Sequence, residues 1–209
     1  GVEFTCTDGV VIERGVEIGV GTEILPNTII RKNTTIGKNC KIGPNTVIEN
    51  CKIGDDVNLH TVQAYESEIE AGVKIGPYVH IRPDSVVKSG AKIGDFVEIK
   101  NSTIGEKTAI AHLAYVGDSD VGKRVNIGCG TVTVNYDGIA KSRCVIGDNC
   151  FIGCNTNLIA PVKLGKAVYT AAGTTVTRDV PDYALAIDRG VMKVNEGYTI
   201  RKLKSKLGK

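Results

Sequence analysis

The stretch Ala71–Lys100, "AGVKIGPYVHIRPDSVVKSGAKIGDFVEIK", decides the fold. Its aliphatics Ile75, Ile81, Val87, Ile93 and Ile99 recur every six residues. That period matches neither the ~3.6 residues of a helical turn nor the two-residue alternation of a long strand. It suits very short strands joined by corners. Three such hexads make one triangular coil, and coils stack at the ~4.8 Å spacing of hydrogen-bonded strands. The pattern predicts an all-β fold, a parallel β-helix.

The same beat runs outward in both directions. Upstream it passes through Ile12, Ile18, Ile24, Ile30, Ile36, Ile42 and Ile48, then takes five-residue steps to Ile53 and, after Leu59, to Ala64 and Ile69. Downstream it continues through Ile104, Ile110, Val116, Val121 and Ile127, and after one break through Ile146, Ile152, Leu158, Leu164, Thr170 and Val176. The repeat accounts for residues 1–182. Residues 183–209, with the basic run "GYTIRKLKSKLGK", form a short C-terminal tail, solvated or laid as an arm on a neighbouring subunit. Glycine after many anchors accommodates the corner, where lacking Cβ is the advantage.

Positions two before each anchor face the same interior and are mostly small: Thr34, Cys40, Thr46, Cys51, Thr108, Cys144 and Cys150. A metal cluster of Cys144, Cys150 and Cys154 competes with structural filling, and the inward positions of the first two favour filling. Seven cysteines is an odd number without a CxxC pair, which fits a reducing, cytoplasmic setting. The 26 basic and 23 acidic residues leave a net charge of +3, too little to call for nucleic acid. No apolar run is long enough for a membrane span, and no signal peptide opens the chain. Gly1 in place of an initiator Met suggests a piece of something larger.

Folding the hexads onto a prism sorts polar residues into columns. Arg82 and Lys100 each follow an anchor of one face in successive coils, so they stack ~5 Å apart. Like charges at that distance repel unless an anion sits beside them, and an Arg with a Lys suits a phosphate. Glu98 could instead neutralise the pair. His112, Cys129, Cys154 and Ala172 share another column, two places past the anchors Ile110, Ile127, Ile152 and Thr170. One imidazole followed by small side chains leaves backbone amides approachable to a thin, amide-bearing ligand; the opposing reading is that corners simply prefer small residues. His60, His80 and His112 lie on different coils or faces and do not converge as zinc ligands. The break falls in "VTVNYDGIAKSR", where Thr133 and Ile146 are thirteen residues apart. The extra residues form a loop beside His112, of the kind that carries function on rigid scaffolds, unless it is only an Asp137-Gly138 turn.

The runs "IRPDSVVKSGAKIGDFVEIKNSTIG" and "AHLAYVGDSDVGKRVNIGCGTVTVNYDGIAKSRCVIGDNCFIG" closely resemble the C-terminal acetyltransferase domain of the bifunctional N-acetylglucosamine-1-phosphate uridyltransferase/glucosamine-1-phosphate acetyltransferase family, GlmU, of the hexapeptide-repeat acyltransferases. The resemblance implies left-handed coils, against the usual right-handed rule. It also implies that the family's N-terminal nucleotidyltransferase domain is absent from this chain. It implies acetyl transfer from acetyl-CoA to the amine of glucosamine 1-phosphate, in UDP-N-acetylglucosamine biosynthesis, without a metal, by a cytoplasmic homotrimer with sites between subunits.

By motif, the resemblance makes His112 the general base, with Glu98 as an orienter, and gives Arg82, Lys100, Tyr115, Asn126 and Lys141 to the sugar phosphate. An imidazole of ordinary pKa ~6.5 suits taking a proton from an amine near neutrality. Cys129, through its backbone N–H, and Asn135, Tyr136, Cys154, Ala172 and Arg189 would line the cofactor. Three positions depart from the family pattern: Cys129 stands where Ala is usual, Cys154 where Ser is usual and Ala109 where Lys is common. The competing readings are another phosphorylated amino-sugar acceptor on the same scaffold, and a non-enzymatic β-helix, which would want a regular Thr ladder that no face shows.

Overall fold

The computed structural model describes residues 1–207, with side chains described through Leu203. The chain is an all-β parallel solenoid of about ten coils, the left-handed β-helix of hexapeptide repeats. Its strands line three flat faces of eleven, ten and nine parallel strands, and each strand pairs with its counterparts one coil above and below.

The hexad anchors build the interior. On the eleven-strand face Ile75, Ile93, Ile110, Ile127, Ile152 and Thr170 are register partners in one file. On the ten-strand face Ile81, Ile99 and Val116 form another. These side chains are buried, and together they make one continuous core along the axis. Ile12 and Ile18, expected as anchors, occupy strands but stay partly exposed, because the first coil has no neighbour to cover it.

The small inner residues have a second duty. Thr108 Oγ1 donates to the Gly122 carbonyl at 2.7 Å, and Cys150 Sγ does the same to Gly165 at 3.1 Å. Cys40 repeats the contact on Gly54 at 3.1 Å. Hydroxyl and thiol thus satisfy corner carbonyls of the next coil, which a buried backbone requires. Cys40, Cys51, Cys144 and Cys150 are all buried.

The coils run past the expected boundary at residue 182: Leu185–Ala186 adds a last strand against Tyr169–Thr170. Beyond it the tail contains a helix, Tyr198–Leu207. Gly208 and Lys209, and the side chains after Leu203, lie outside the described residues. The break in the hexad repeat is a loop between strands Val132–Val134 and Cys144–Ile146. The solenoid resumes in register across it, with Thr133 opposite Leu158 and Ser119 opposite Cys144.

Candidate active site

The outer side of the ten-strand face gathers the polar groups. Side chains alternate along a strand, so with Ile81, Ile99 and Val116 pointing in, Arg82 and Lys100 point out in successive coils. Arg82 Nη1 lies 2.8 Å from Glu98 Oε1. Lys100 Nζ lies 3.0 Å and 3.1 Å from the two oxygens of Asp118. Each cation therefore has its own carboxylate, and Glu98 belongs to Arg82 rather than to His112.

Asp118 is the buried hub of the cluster, only 3 % exposed. It accepts from Lys100, from Asn101 and from Asn135 Nδ2 in a short contact. Burial pushes its carboxyl up, but the hydrogen bonds from Lys100, Asn101 and Asn135 outweigh that and hold it below the usual carboxylate range. The Asp118 carboxylate raises Lys100 in turn, and Lys141 from the loop is brought up against Lys100. Three cations, Arg82, Lys100 and Lys141, thus meet two carboxylates, leaving the cluster cationic.

Tyr115 closes the cluster from above. A Cβ on Gly117 would collide with the Tyr115 hydroxyl, so the phenol lies across the one position in the column without a side chain. Gly117 is the register partner of Lys100, which sets that hydroxyl directly over the lysine. Asn135 Nδ2 donates to it at 3.3 Å. The loop base is therefore part of the cluster. Its tip is a turn: Asp137 Oδ1 accepts from the amides of Ile139 and Ala140, at 2.8 Å and 2.7 Å. Gly138 takes φ +98°, a conformation that suits glycine. Tyr136 is exposed and its hydroxyl donates to the Gly138 carbonyl, away from the cluster.

His112 stands on the corner between the ten- and eleven-strand faces. It is exposed, and Nδ1 is 4.0 Å from Asp95 Oδ2, ion-pair range rather than hydrogen-bond range. Asp95 is its register partner one coil below. Above it on the same corner follow Cys129, Cys154 and Ala172, all exposed, with Arg189 Nη2 donating to the Ala172 carbonyl at 3.4 Å.

That corner differs from the one between the nine- and eleven-strand faces. There several corner amides are capped by carboxylates of the adjoining coil: Lys38 N donates to Asp55 at 2.7 Å, Lys123 N to Asp148 at 3.0 Å and Lys166 N to Asp182 at 2.8 Å. Among the described residues, the amides of Cys129, Cys154 and Ala172 meet no protein acceptor. A row of free N–H donors at strand spacing, beside small side chains, fits a thin ligand bearing carbonyl oxygens.

Of the residues singled out from sequence, one chain brings together Arg82, Lys100, Tyr115, Asn135 and Lys141, with His112 at the adjoining corner. Asn126 is apart, on the outside of the eleven-strand face in the column of Ala109 and Phe151. Sequence reasoning passed over Asp118 and Asp95. The "GD" of the quoted "HLAYVGD" run carried the first; the second needed the coil-to-coil register.

The hexapeptide family described as "Bacterial transferase hexapeptide (six repeats)" matches residues 33–61, 66–101 and 143–178. The bifunctional protein GlmU of Acetivibrio thermocellus is 49% identical over 202 residues, which are 97% of this chain and 44% of that protein. GlmU of Thermoanaerobacter pseudethanolicus is 54% identical over 161 residues, 77% of this chain and 35% of that one. The chain thus spans less than half the length of these curated relatives. Among solved structures, LpxA from Acinetobacter baumannii has a TM-score of 0.63 at 15% identity, covering 97% of this chain and 77% of its own. The Arabidopsis UDP-N-acetylglucosamine acyltransferase has 0.66 at 15% identity, covering 93% and 75%. At that identity the two structures speak for the fold alone.

Proposed function

The chain belongs to the hexapeptide-repeat transferases and corresponds to the C-terminal portion of GlmU, and from that premise we propose that it transfers an acetyl group from acetyl-CoA to the amine of glucosamine 1-phosphate, giving N-acetylglucosamine 1-phosphate and CoA. The observation that carries this reading is the juxtaposition of a cationic cluster with an exposed imidazole and a row of free amides.

Arg82, Lys100 and Lys141 supply positive charge for the sugar phosphate, while Tyr115 and Asn135 offer hydrogen bonds beside them. His112 faces Asp95 with Nδ1, which leaves Nε2 to take the proton from the amine as it attacks. Acetyl-CoA, when bound, supplies the acetyl thioester. The free amides of Cys129, Cys154 and Ala172 are donors for its carbonyl oxygens, and Arg189 lies at the end of that track, against Ala172.

The acting form is a homotrimer. Asn126 sits one face away from the cluster, where it meets the sugar only across a subunit boundary. Tyr78, Phe96 and Leu113 support this assembly: they are 61 %, 60 % and 58 % exposed on the His112 corner, and the two aromatic rings stack at 5.1 Å. Water-exposed apolar side chains in such a file suit cover by a second copy. No described helix is long and apolar enough to cross a membrane.

Release of CoA thiol from acetyl-CoA tests the reaction, with glucosamine 1-phosphate and glucosamine 6-phosphate as alternative acceptors. Thiol release that depends on the 1-phosphate supports it. Preference for another acceptor would move the reading to a different amino sugar, and no release with any would end it.

A further inference from the structure

Of the seven cysteines, only Cys129 and Cys154 are exposed. Cys40, Cys51, Cys144 and Cys150 are sealed in the core, and burial pushes the Cys51 and Cys144 thiols up to about 11. The exposed pair is also a neighbouring pair. Ile127 and Ile152 are register partners, so the residues two places on, Cys129 and Cys154, face each other across adjacent coils. Asn155 N donates to the Cys129 carbonyl at 2.7 Å, which locks the two corners together. Their Cα atoms are thus one strand spacing apart, ~4.8 Å, inside the ~4.4–6.8 Å range that a disulfide spans.

We propose that Cys129 and Cys154 are a reversible dithiol–disulfide site, whose oxidising partner is a low-molecular-weight disulfide, R–S–S–R. One cysteine thiolate attacks a sulfur of that disulfide, forming a mixed disulfide and expelling R–S⁻. The second thiolate then attacks the cysteine sulfur of the mixed disulfide, forming the Cys129–Cys154 bond and expelling the other R–S⁻. The two protons lost by the cysteines end on the two departing thiolates, so two protein thiols are oxidised and one external disulfide is reduced to two thiols. A disulfide between two exposed cysteines is open to thiols in solution and readily reduced, which suits a switch in a reducing setting rather than a structural staple.

The consequence for activity rests on the acetyl-transfer reading. Oxidation ties together the two small side chains next above His112 and narrows the amide track. A displacement of about 1 Å there is enough to cost roughly a hundred-fold in rate.

The experiment treats the full chain with glutathione disulfide, digests it with trypsin without reduction, and assigns the linked cysteines by fragment-ion mass spectrometry, because Cys144, Cys150 and Cys154 share one tryptic peptide. The expected result is a peptide containing Cys129 cross-linked to one containing Cys154, reversed by dithiothreitol. Mixed glutathione adducts on both cysteines without a cross-link, or a cross-link through another cysteine, overturn the site. In parallel, acetyl transfer by the oxidised protein is compared with its own reduced sample. The ratio falls roughly a hundred-fold in the parent and stays near one in Cys129→Ala/Cys154→Ser, whatever that variant's basal rate. A cross-linked parent with an unchanged ratio overturns the switch. A reduced parent that transfers no acetyl group refutes the acetyl-transfer reading instead, while the cross-link still decides the site.

Discussion

Asp95 lies in the coil directly beneath His112, its Oδ2 4.0 Å from the imidazole Nδ1. On the proposed reading, the contact favours the ring orientation that leaves Nε2 for the acceptor amine. Both side chains are half-exposed, so the effect is modest: Asp95→Ala lowers kcat by about five-fold at most, with KM for either substrate unchanged. His112→Ala loses roughly a hundred-fold or more. Steady-state kinetics of the two variants check this, and a KM effect for Asp95→Ala would assign the residue to binding instead.

Arg82→Ala and Lys100→Ala separate binding from stability. On the proposed acetyl-transfer reading each removes a charge-assisted contact to the acceptor phosphate, lowering kcat/KM by about ten- to a hundred-fold. Only Lys100→Ala strips the partner from a buried carboxylate, Asp118. It therefore lowers the thermal midpoint clearly, whereas Arg82→Ala leaves a half-exposed Glu98 and barely moves it. Equal midpoints for the two variants would remove Asp118 from its place as hub.

The carboxyl of Asp118 is held below its ordinary value, which fixes the sign of its pH dependence. Its stabilisation is complete above the unfolded-state value of ~3.9 and is lost as the pH falls below that toward the folded value. Urea midpoints of the parent exceed those of Asp118→Asn near neutrality, and the gap closes as the pH is lowered through ~4. A gap that persists in acid would mean that shape, not charge, is what Asp118 contributes.

Gly117→Ala tests the phenol over the lysine. The new methyl collides with the Tyr115 hydroxyl, which must swing away from Lys100 and Asn135. Acceptor KM rises several-fold, of the order expected from one lost hydrogen bond to substrate, while the fold stays intact. Circular dichroism and acceptor titration report the two parts separately.

Ile127→Ala removes a fully interior anchor whose neighbours above and below cannot close on it, and it costs about 2–5 kcal/mol. Chemical denaturation measures that loss. The cost stays local to adjoining coils, because each coil contacts only its neighbours.

The sequence told most where a residue points inward. Ile110, Ile127 and Ile152 betray themselves because an interior file of equal spacing forces one residue type at a fixed beat, and the column of His112, Cys129, Cys154 and Ala172 follows by counting. Outward positions obey no such beat. Arg82 and Lys100 were legible as a stacked pair, but not that Glu98 and Asp118 each take one of them, since those contacts depend on rotamers and on burial across coils. Asp95 was hidden for the same reason: its tie to His112 exists only through the register of two strands seventeen residues apart in sequence. Asn126 matched a motif, yet the winding of the coils sets it on another face.

The loop between Val134 and Cys144 leaves the solenoid and rejoins it with the pairing above and below unaltered. Its length is thus thermodynamically decoupled from the coils, which feel only their hydrogen-bonded neighbours. The fold behaves as a chassis with an exchangeable cassette. The tip, residues 137–140, can be rewritten without renegotiating any contact that holds the β-helix together, whereas Asn135 is the peg that fastens the loop base to Asp118.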